Sequence, residues 1–251
     1  MSLLDAVLIA LAGVGAGVIN TVVGSGTLVT FPTLLALGYS PVVANVSNTV
    51  GLAPGGLSAV IGYRRELAGQ RDRLIRLGVA AMIGGSIGAV LLVTLPSEAF
   101  EAIVPVLIGL GCVLVAIQPW VARRVKDHTE PDRPHGSATM WVLIMLAGVY
   151  GGYFGAGQGV LLLGIMGIGL NEDLQRTNAV KNYLALVANT VAAVLFIVIA
   201  EIDWAVAGLV ALGSVIGGQI GASVARRLPS VVFRVVILVI GVIAIWRLLA
   251  A

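Results

Sequence analysis

The sequence is poor in charged residues and in cysteine. Only 11% of its 251 residues are Asp, Glu, Lys or Arg, whereas 59% are apolar. Soluble domains carry roughly a quarter charged residues, so we expect an integral membrane protein. The apolar stretch 3–19 lacks the Lys/Arg cluster that opens a signal peptide, and we interpret it as a retained part of the fold. The single cysteine, Cys112, allows no intrachain disulfide and is interpreted as a packing residue.

The sequence also lacks the motifs by which many enzymes are recognised. It contains no Walker lysine, no HExxH motif and no Ser-His-Asp set, and the glycines of 155–159 lack the strand that a dinucleotide fingerprint requires. His128 and His135 share a polar linker with acidic residues, but their spacing matches no metal motif. We therefore expect no metal, no cofactor and no catalytic activity. The net charge of +3 lies in a few loops without interleaved aromatics, so no nucleic-acid partner is expected.

The clearest positive feature is an internal repeat at an offset of 133 residues. Residues 24–100 align without a gap on residues 157–233, and the block Gly84–Ala89 shares five of six residues with Gly217–Ala222. Transporters are often built from two such halves around a central site. The chain is therefore divided into a first repeat (1–122), a cytoplasmic linker (123–138) and a second repeat (139–251).

Loop charges predict how the chain crosses the membrane. The loop 63–76 carries five Arg against two acids, and 123–136 is also basic, so both are expected in the cytoplasm by the positive-inside rule. Alternation then places equivalent loops of the two repeats on opposite sides, which makes the repeats inverted. The predicted cytoplasmic segments are 63–76, 123–136, 171–176 and 226–234, and the predicted external segments are 38–41, 96–101 and 201–204.

An all-α fold is expected, with six spanning helices of about 20 residues and two shorter helix pairs. Each repeat opens with a Gly-rich element of about 33 residues, 3–37 or 139–170, which is too short for two full helices across about 30 Å. We predict a broken or re-entrant pair there, with both ends on one side, followed by three transmembrane helices. Those helices are 42–62, 77–95 and 102–122, then 177–200, 205–225 and 231–250.

The breaks in the helix pairs and the polar starts of the following helices form the candidate site. Helix N-termini at the breaks would offer unpaired N–H groups to an anion. Polar side chains at helical spacing are costly in hydrocarbon and should face the bundle interior. The candidate substrate-binding residues are Ser25, Gly26, Thr27, Asn45, Asn48, Thr49, Gln158, Gly159, Asn178, Lys181 and Asn182.

Two alternatives stay open at this point. The glycines could serve only close helix packing, which is our preferred interpretation for Gly84, Gly88, Gly217 and Gly221 but not for the breaks. Lys181 could extend to the cytoplasmic surface instead of contacting an anion.

The sequence resembles the TauE/SafE family of sulfite and organosulfonate exporters, also called the toluene-sulfonate uptake permease family. The resemblance rests on Gly24-Ser25-Gly26 with Phe31-Pro32 after it, the segment Gly38–Ala44, the block Gly84–Ala89 and the segment Gly151–Gly157. It implies a secondary transporter that carries sulfite, sulfoacetate or related sulfonates outward across the bacterial plasma membrane by alternating access. A channel-like anion pore and a non-transporting membrane subunit are the alternatives, and the sequence is compatible with a homodimer.

Single cysteines test the predicted topology in a Cys112→Ala background. Ser97→Cys and Asp203→Cys should react with an impermeant thiol reagent in intact cells, whereas Thr129→Cys should not, because the loop charges place only the first two outside. Labelling of the Thr129 variant together with protection of the Ser97 variant would overturn the inverted arrangement.

Overall fold

The computed structural model describes residues 1–127, 136–170, 172–224 and 230–250, and within these ranges every regular element is an α-helix. The expected all-α membrane fold is confirmed. The first repeat contains α1 (Leu3–Val22), α2 (Thr27–Ala36), α3 (Pro41–Gly62), α4 (Arg64–Leu67), α5 (Arg71–Thr94) and α6 (Ser97–Asp127). The second contains α7 (Ala138–Tyr153), α8 (Gln158–Gly169), α9 (Leu174–Ile199), α10 (Trp204–Val224) and α11 (Ser230–Ala250). Thr129, His128, His135 and the basic turn at 226–227 lie outside the described residues.

Five helices in the described part of the chain are long and apolar enough to cross a membrane. Four of them, α5, α6, α9 and α10, cover expected spans. The fifth is α1, whose 20 residues span about 30 Å, so this helix is longer than the half-length element that the sequence led us to expect. The helix α3 matches the expected span 42–62, but its Asn, Ser, Thr, Gly and Pro residues make it less apolar.

The other members of the two opening pairs are short. The helices α2, α7 and α8 contain 10, 16 and 12 residues, which correspond to about 15, 24 and 18 Å. Glycines with positive φ, a conformation that L side chains disfavour, interrupt each pair: Gly24 (φ 85°) in the first, and Gly155 (φ 79°) and Gly157 (φ 82°) in the second. Residues 23–26 are called the first break below, and residues 154–157 the second break.

The pairs fold back on themselves as expected. In the second pair, a Cβ added at Gly169, the last residue of α8, would overlap the side chain of Met140 near the start of α7. In the first pair, Tyr39 follows α2 and lies close to Asp5 at the start of α1, where burial and the carboxylates of Asp203 and Asp5 raise the pKa of the phenol. Each pair therefore begins and ends at one end of the bundle.

Loops that were assigned to one side of the membrane also lie together. Arg73 forms an ion pair with Glu172 at 3.8 Å, and Arg176 donates to the carbonyl of Ala68 at 3.5 Å, which joins 63–76 to 172–176. The grouping agrees with the predicted topology. Which end faces the cytoplasm, and hence the inverted orientation of the repeats, stays a prediction.

The helices pack mainly across the two repeats. The helix α1 packs on α10 and α7 packs on α5, while α3 and α9, which contact each other, also pack on α10 and α5 respectively. The list of contacts is unchanged when the repeats are exchanged. The starts of α3, α5 and α6 precede those of α9, α10 and α11 by 133 residues each, which matches the sequence offset.

Small residues make these cross-repeat contacts close. Gly84 and Gly88 of α5 lie against the backbone of α7, and Gly217 and Gly221 of α10 lie against α1, so that an added Cβ would overlap the partner helix at each position. The packing interpretation of these four glycines is confirmed. Cys112 is likewise buried, and its sulfur lies against Gly241 in α11.

Alanine substitutions test this packing. Gly88→Ala and Gly221→Ala should each destabilise the protein by about 1 to 3 kcal/mol, because the methyl group forces two backbones apart. Thermal unfolding in detergent measures the loss. The matched control is Gly208→Ala in α10, where no atom lies within 4 Å of the added Cβ, and its unfolding temperature should be retained or raised. Equal effects at all three positions would contradict close packing as the cause.

Candidate functional site

The two breaks meet at the centre of the bundle. The backbone N–H of Gly159, at the start of α8, donates to the carbonyl of Gly24 at 3.1 Å, and both glycines are buried. A Cβ at either glycine would overlap the Cα of the other. The first break of one repeat thus lies directly against the second break of the other.

This contact changes the expected role of the helix N-termini. The N–H groups of Gln158, Gly159 and Val160 are all paired with backbone carbonyls, and those of Leu28 and Val29 in α2 are paired with the carbonyls of the residues three positions earlier. The expectation of unpaired N–H groups at these positions is wrong for this conformation. Its physical reason is that buried backbone groups must find protein partners where water is excluded.

Lys181 and Asn182 hold the end of the first broken helix. The Lys181 ammonium and the Asn182 amide each donate to the carbonyl of Thr21, both at 3.2 Å, in the last turn of α1. Last-turn carbonyls lack helical partners, and a cation there is favourable to the helix dipole. Lys181 is 1% exposed, so the alternative in which it extends to the membrane surface is wrong.

Lys181 has no acidic partner in the described part of the chain. Ion pairs there join Glu172 to Arg73 and to Arg176, at the N-terminal end of the same helix, and none includes Lys181. The ammonium is therefore buried with only neutral groups beside it. That arrangement is costly in a membrane interior, where buried charges are almost always paired.

Asn45 makes the corresponding contact with the other broken helix. Its amide nitrogen donates to the carbonyl of Tyr153, the last residue of α7, at 2.9 Å, while its amide oxygen is buried without a hydrogen-bond partner. Its repeat counterpart Asn178 instead donates to the Tyr63 hydroxyl at 2.9 Å. The third helix of each repeat thus caps the broken helix of the other repeat, but through different positions.

Asn48 and Thr49 serve contacts inside the first repeat. The Asn48 amide accepts from the Thr30 hydroxyl and donates to the Thr27 hydroxyl at 3.5 Å, which ties α3 to α2. The Thr49 hydroxyl donates to the backbone carbonyl of Asn45 at 2.9 Å. Asn48 is therefore bonded to α2 in this conformation, although the repeat makes it the counterpart of Lys181.

The polar residues at the breaks differ in how well they are bonded. Gln158 is buried and its amide donates to the carbonyl of Ala147 at 3.2 Å. Ser25, its counterpart under the repeat, is fully buried, and its hydroxyl has no partner. The N–H of Gly26 points to the side-chain oxygen of Asn20 at 3.5 Å. Ser25 therefore supplies a hydroxyl that is free to bind a ligand.

A small polar cavity lies beside these residues, between α1, α3, α9 and α10. Its polar lining residues are Asn20, Thr21, Asn182, Asn189 and Ser214. The room for water is about 10 Å³, enough for about one molecule. Lys181 does not line the cavity but binds Thr21, which does.

Sequence reasoning missed three of these residues as site candidates. Asn189 follows Asn182 by seven positions, and therefore two turns along the same face of α9, a spacing that could have identified it. Asn20 was visible as an amide at the end of an apolar helix. Ser214 carried no signal, because it lies in a Gly-rich segment that is typical of helix packing.

Comparisons with known proteins were made on the whole chain. The model of the family described as "Sulfite exporter TauE/SafE" matches residues 9–248, which include both breaks and the cavity. The chain is 25% identical over 236 residues to "Probable membrane transporter protein ORF9" of Sinorhizobium sp., covering 94% of this chain and 88% of the relative. It is also 25% identical over 237 residues to "Probable membrane transporter protein YfcA" of Escherichia coli strain K12, covering 93% and 86%. Neither name denotes an enzyme, and the chain is a multi-pass protein of the bacterial inner membrane.

Three glycine variants test the contact between the breaks. Gly159→Ala adds an overlap with Gly24, Gly38→Ala adds only the strain of a positive φ in open space, and Gly24→Ala adds both. We expect losses of about 1 to 3 kcal/mol for the overlap and about 1 to 2 kcal/mol for the strain, so Gly24→Ala should be the least stable in thermal unfolding. A Gly24→Ala variant no less stable than Gly38→Ala would contradict the close contact.

Proposed function

We propose that this chain, which belongs to the TauE/SafE sulfite exporter family and is a membrane transporter, exports small sulfur-containing anions by alternating access. The substrates proposed are sulfite, sulfoacetate and other organosulfonates. The family match supports the class of substrate, and the charge at the centre of the bundle supports the anion.

The observation that carries the proposal is the buried ammonium of Lys181 without a carboxylate beside it. Neutral carbonyls offset only part of the cost of removing this charge from water, which amounts to several kcal/mol per ion. A bound anion would supply the missing counter-charge and turn the cost into binding energy. The single lysine matches an anion with one delocalised negative charge.

The neutral groups near Lys181 fit the remaining valences of such an anion. A sulfonate presents three acceptor oxygens, which suit amide and hydroxyl donors. Asn20, Asn182 and Asn189 line the cavity, and Ser25 has an unbonded hydroxyl. The proposed site keeps the candidates named from the sequence and adds Asn20, Asn189 and Ser214.

The roles proposed within the site differ. Lys181 and Asn182 would bind the anion directly, and Ser25, Asn45, Gln158 and the two central glycines would shape the breaks beside it. Asn48, Thr27 and Thr49 would hold α2 and α3 in place, and Asn178 would fix α9 to the end of α3. Gly26 would allow the first break to approach α1.

Alternating access follows from the size and origin of the cavity. A space for about one water cannot hold a sulfonate, so the bundle must open for the substrate to bind. The polar lining comes from both repeats, with Asn20 and Thr21 from the first and Asn182 and Asn189 from the second. A movement of one repeat against the other would widen it, and the narrow closed cavity favours a carrier over a permanently open pore.

Replacement of Lys181 by methionine is the sharpest test. Lys181→Met keeps the length of the side chain and removes the charge, so ligand binding should weaken by roughly 1.5 to 3 kcal/mol, the scale of a hydrogen bond to a charged group. The unliganded protein should keep or gain stability, because an unpaired buried charge is lost. Ligand-dependent thermal stabilisation with sulfite, sulfoacetate, taurine and sulfate, and counterflow in proteoliposomes, measure the two effects.

Arg71→Met serves as the control, because it removes the same charge from an exposed loop position and should leave both readouts unchanged. Saturable counterflow of a sulfur-containing anion in the wild type, lost in Lys181→Met alone, is the expected result. Linear flux without counterflow would replace the carrier with a pore. Equal stabilisation of wild type and Lys181→Met by the best ligand would remove the lysine from the site.

A further inference from the structure

A second polar pocket lies far from the breaks, at the end of α3 and α10. It has a volume of about 260 Å³ and is lined by Arg64 and Arg65 of α4 and by Gln219 and Ser223 of α10, with Ile61 at its edge. The pocket shares no residue with the central cavity. The proposed transport function does not use it.

The floor of this pocket is firmly built. A Cβ added at Gly62 would overlap the Cβ of Ala222, so α3 and α10 touch directly below the arginines. The Gln219 amide donates to the carbonyl of Ser58 at 2.9 Å, which fixes its side chain across the two helices. The pocket is therefore a feature of the main cross-repeat interface and not of a loop alone.

The charge in the pocket is uncompensated. Neither Arg64 nor Arg65 forms an ion pair with a residue that the structure describes, and no Asp or Glu is among the lining residues. Arg73 and Arg176 of the neighbouring surface, in contrast, both pair with Glu172. Two guanidinium groups with planar sets of N–H donors are suited to a phosphate group.

Apolar side chains lead from the membrane up to the pocket. On α3, Leu57 is 52% exposed and Ile61 is 48% exposed, and on α10, Ile216 is 56% exposed and Ile220 is 42% exposed. A spacing of four residues places each pair on one face of its helix. Both stripes end at the arginines, so the pocket lies where an acyl chain would meet its headgroup.

We propose that this pocket binds the phosphate of an anionic phospholipid, with the headgroup between Arg64 and Arg65 and an acyl chain along the two stripes. The positive-inside rule assigns the loop to the cytoplasmic leaflet, where anionic lipids attract basic residues. The apolar stripes favour a lipid over free phosphate, which would need only the arginines. The inference goes beyond the transport function and does not depend on which anion is carried.

The test compares lipid retention by purified protein in native mass spectrometry after reconstitution in mixed phosphatidylglycerol and phosphatidylcholine nanodiscs. The double variant Arg64→Gln/Arg65→Gln should retain phosphatidylglycerol about tenfold less than the wild type, since each basic residue near the surface contributes about a factor of ten at most. The matched control Arg71→Gln/Arg76→Gln removes two exposed arginines that do not line the pocket and should retain the lipid as the wild type does. Arg64→Lys/Arg65→Lys should restore part of the retention, because the charges return without the planar donors.

Two outcomes would overturn the proposal. Equal retention of phosphatidylglycerol by the Gln double variant and the wild type, or an equal loss in the control, would remove the lipid from this pocket. A second arm adds inorganic phosphate to protein in phosphatidylcholine nanodiscs. If phosphate raises the unfolding temperature as much as phosphatidylglycerol does, and the effect depends on Arg64 and Arg65, the ligand is a soluble phosphate and not a lipid.

Discussion

The structure depends on one constraint, which is that a broken helix inside a bilayer leaves carbonyl and N–H groups that water cannot reach. The carbonyl of Thr21 at the end of α1 is bonded by Lys181 and Asn182, and the carbonyl of Tyr153 at the end of α7 is bonded by Asn45. In both cases the donor belongs to the other repeat. The two repeats therefore complete each other, and separating them would leave polar groups unpaired in an apolar environment.

The same constraint concentrates polar chemistry at the centre of the bundle. Caps for the broken helices must be amide or ammonium groups, and these are also the groups that bind an oxyanion. In the proposed mechanism an anion competes with the Thr21 carbonyl for Lys181, so that binding would loosen the contact that closes the site. The cost of a buried ammonium is then part of the transport cycle and not only a burden on stability.

The two halves have kept their helices but not their side-chain contacts. The position of Asn48 in the first repeat holds a lysine, Lys181, in the second, and the two side chains contact different elements. Asn45 caps a helix, whereas Asn178 at the equivalent position binds the Tyr63 hydroxyl. A carrier with one charged group needs one lysine, because two buried ammonium groups close together would repel each other.

The sequence by itself determined the membrane class, the helix boundaries near the 133-residue offset and the packing role of Gly84 and its counterparts, because composition, spacing and small side chains act locally. Only the tertiary structure decided which polar groups are free. The N–H of Gly159 is paired because Gly24, 135 residues earlier in the chain, brings its carbonyl within 3.1 Å. Asn189 likewise became a cavity residue only through the helices that surround it. Hydrogen-bond partners distant in sequence are set by the packing of whole helices, and a sequence pattern carries no record of that packing.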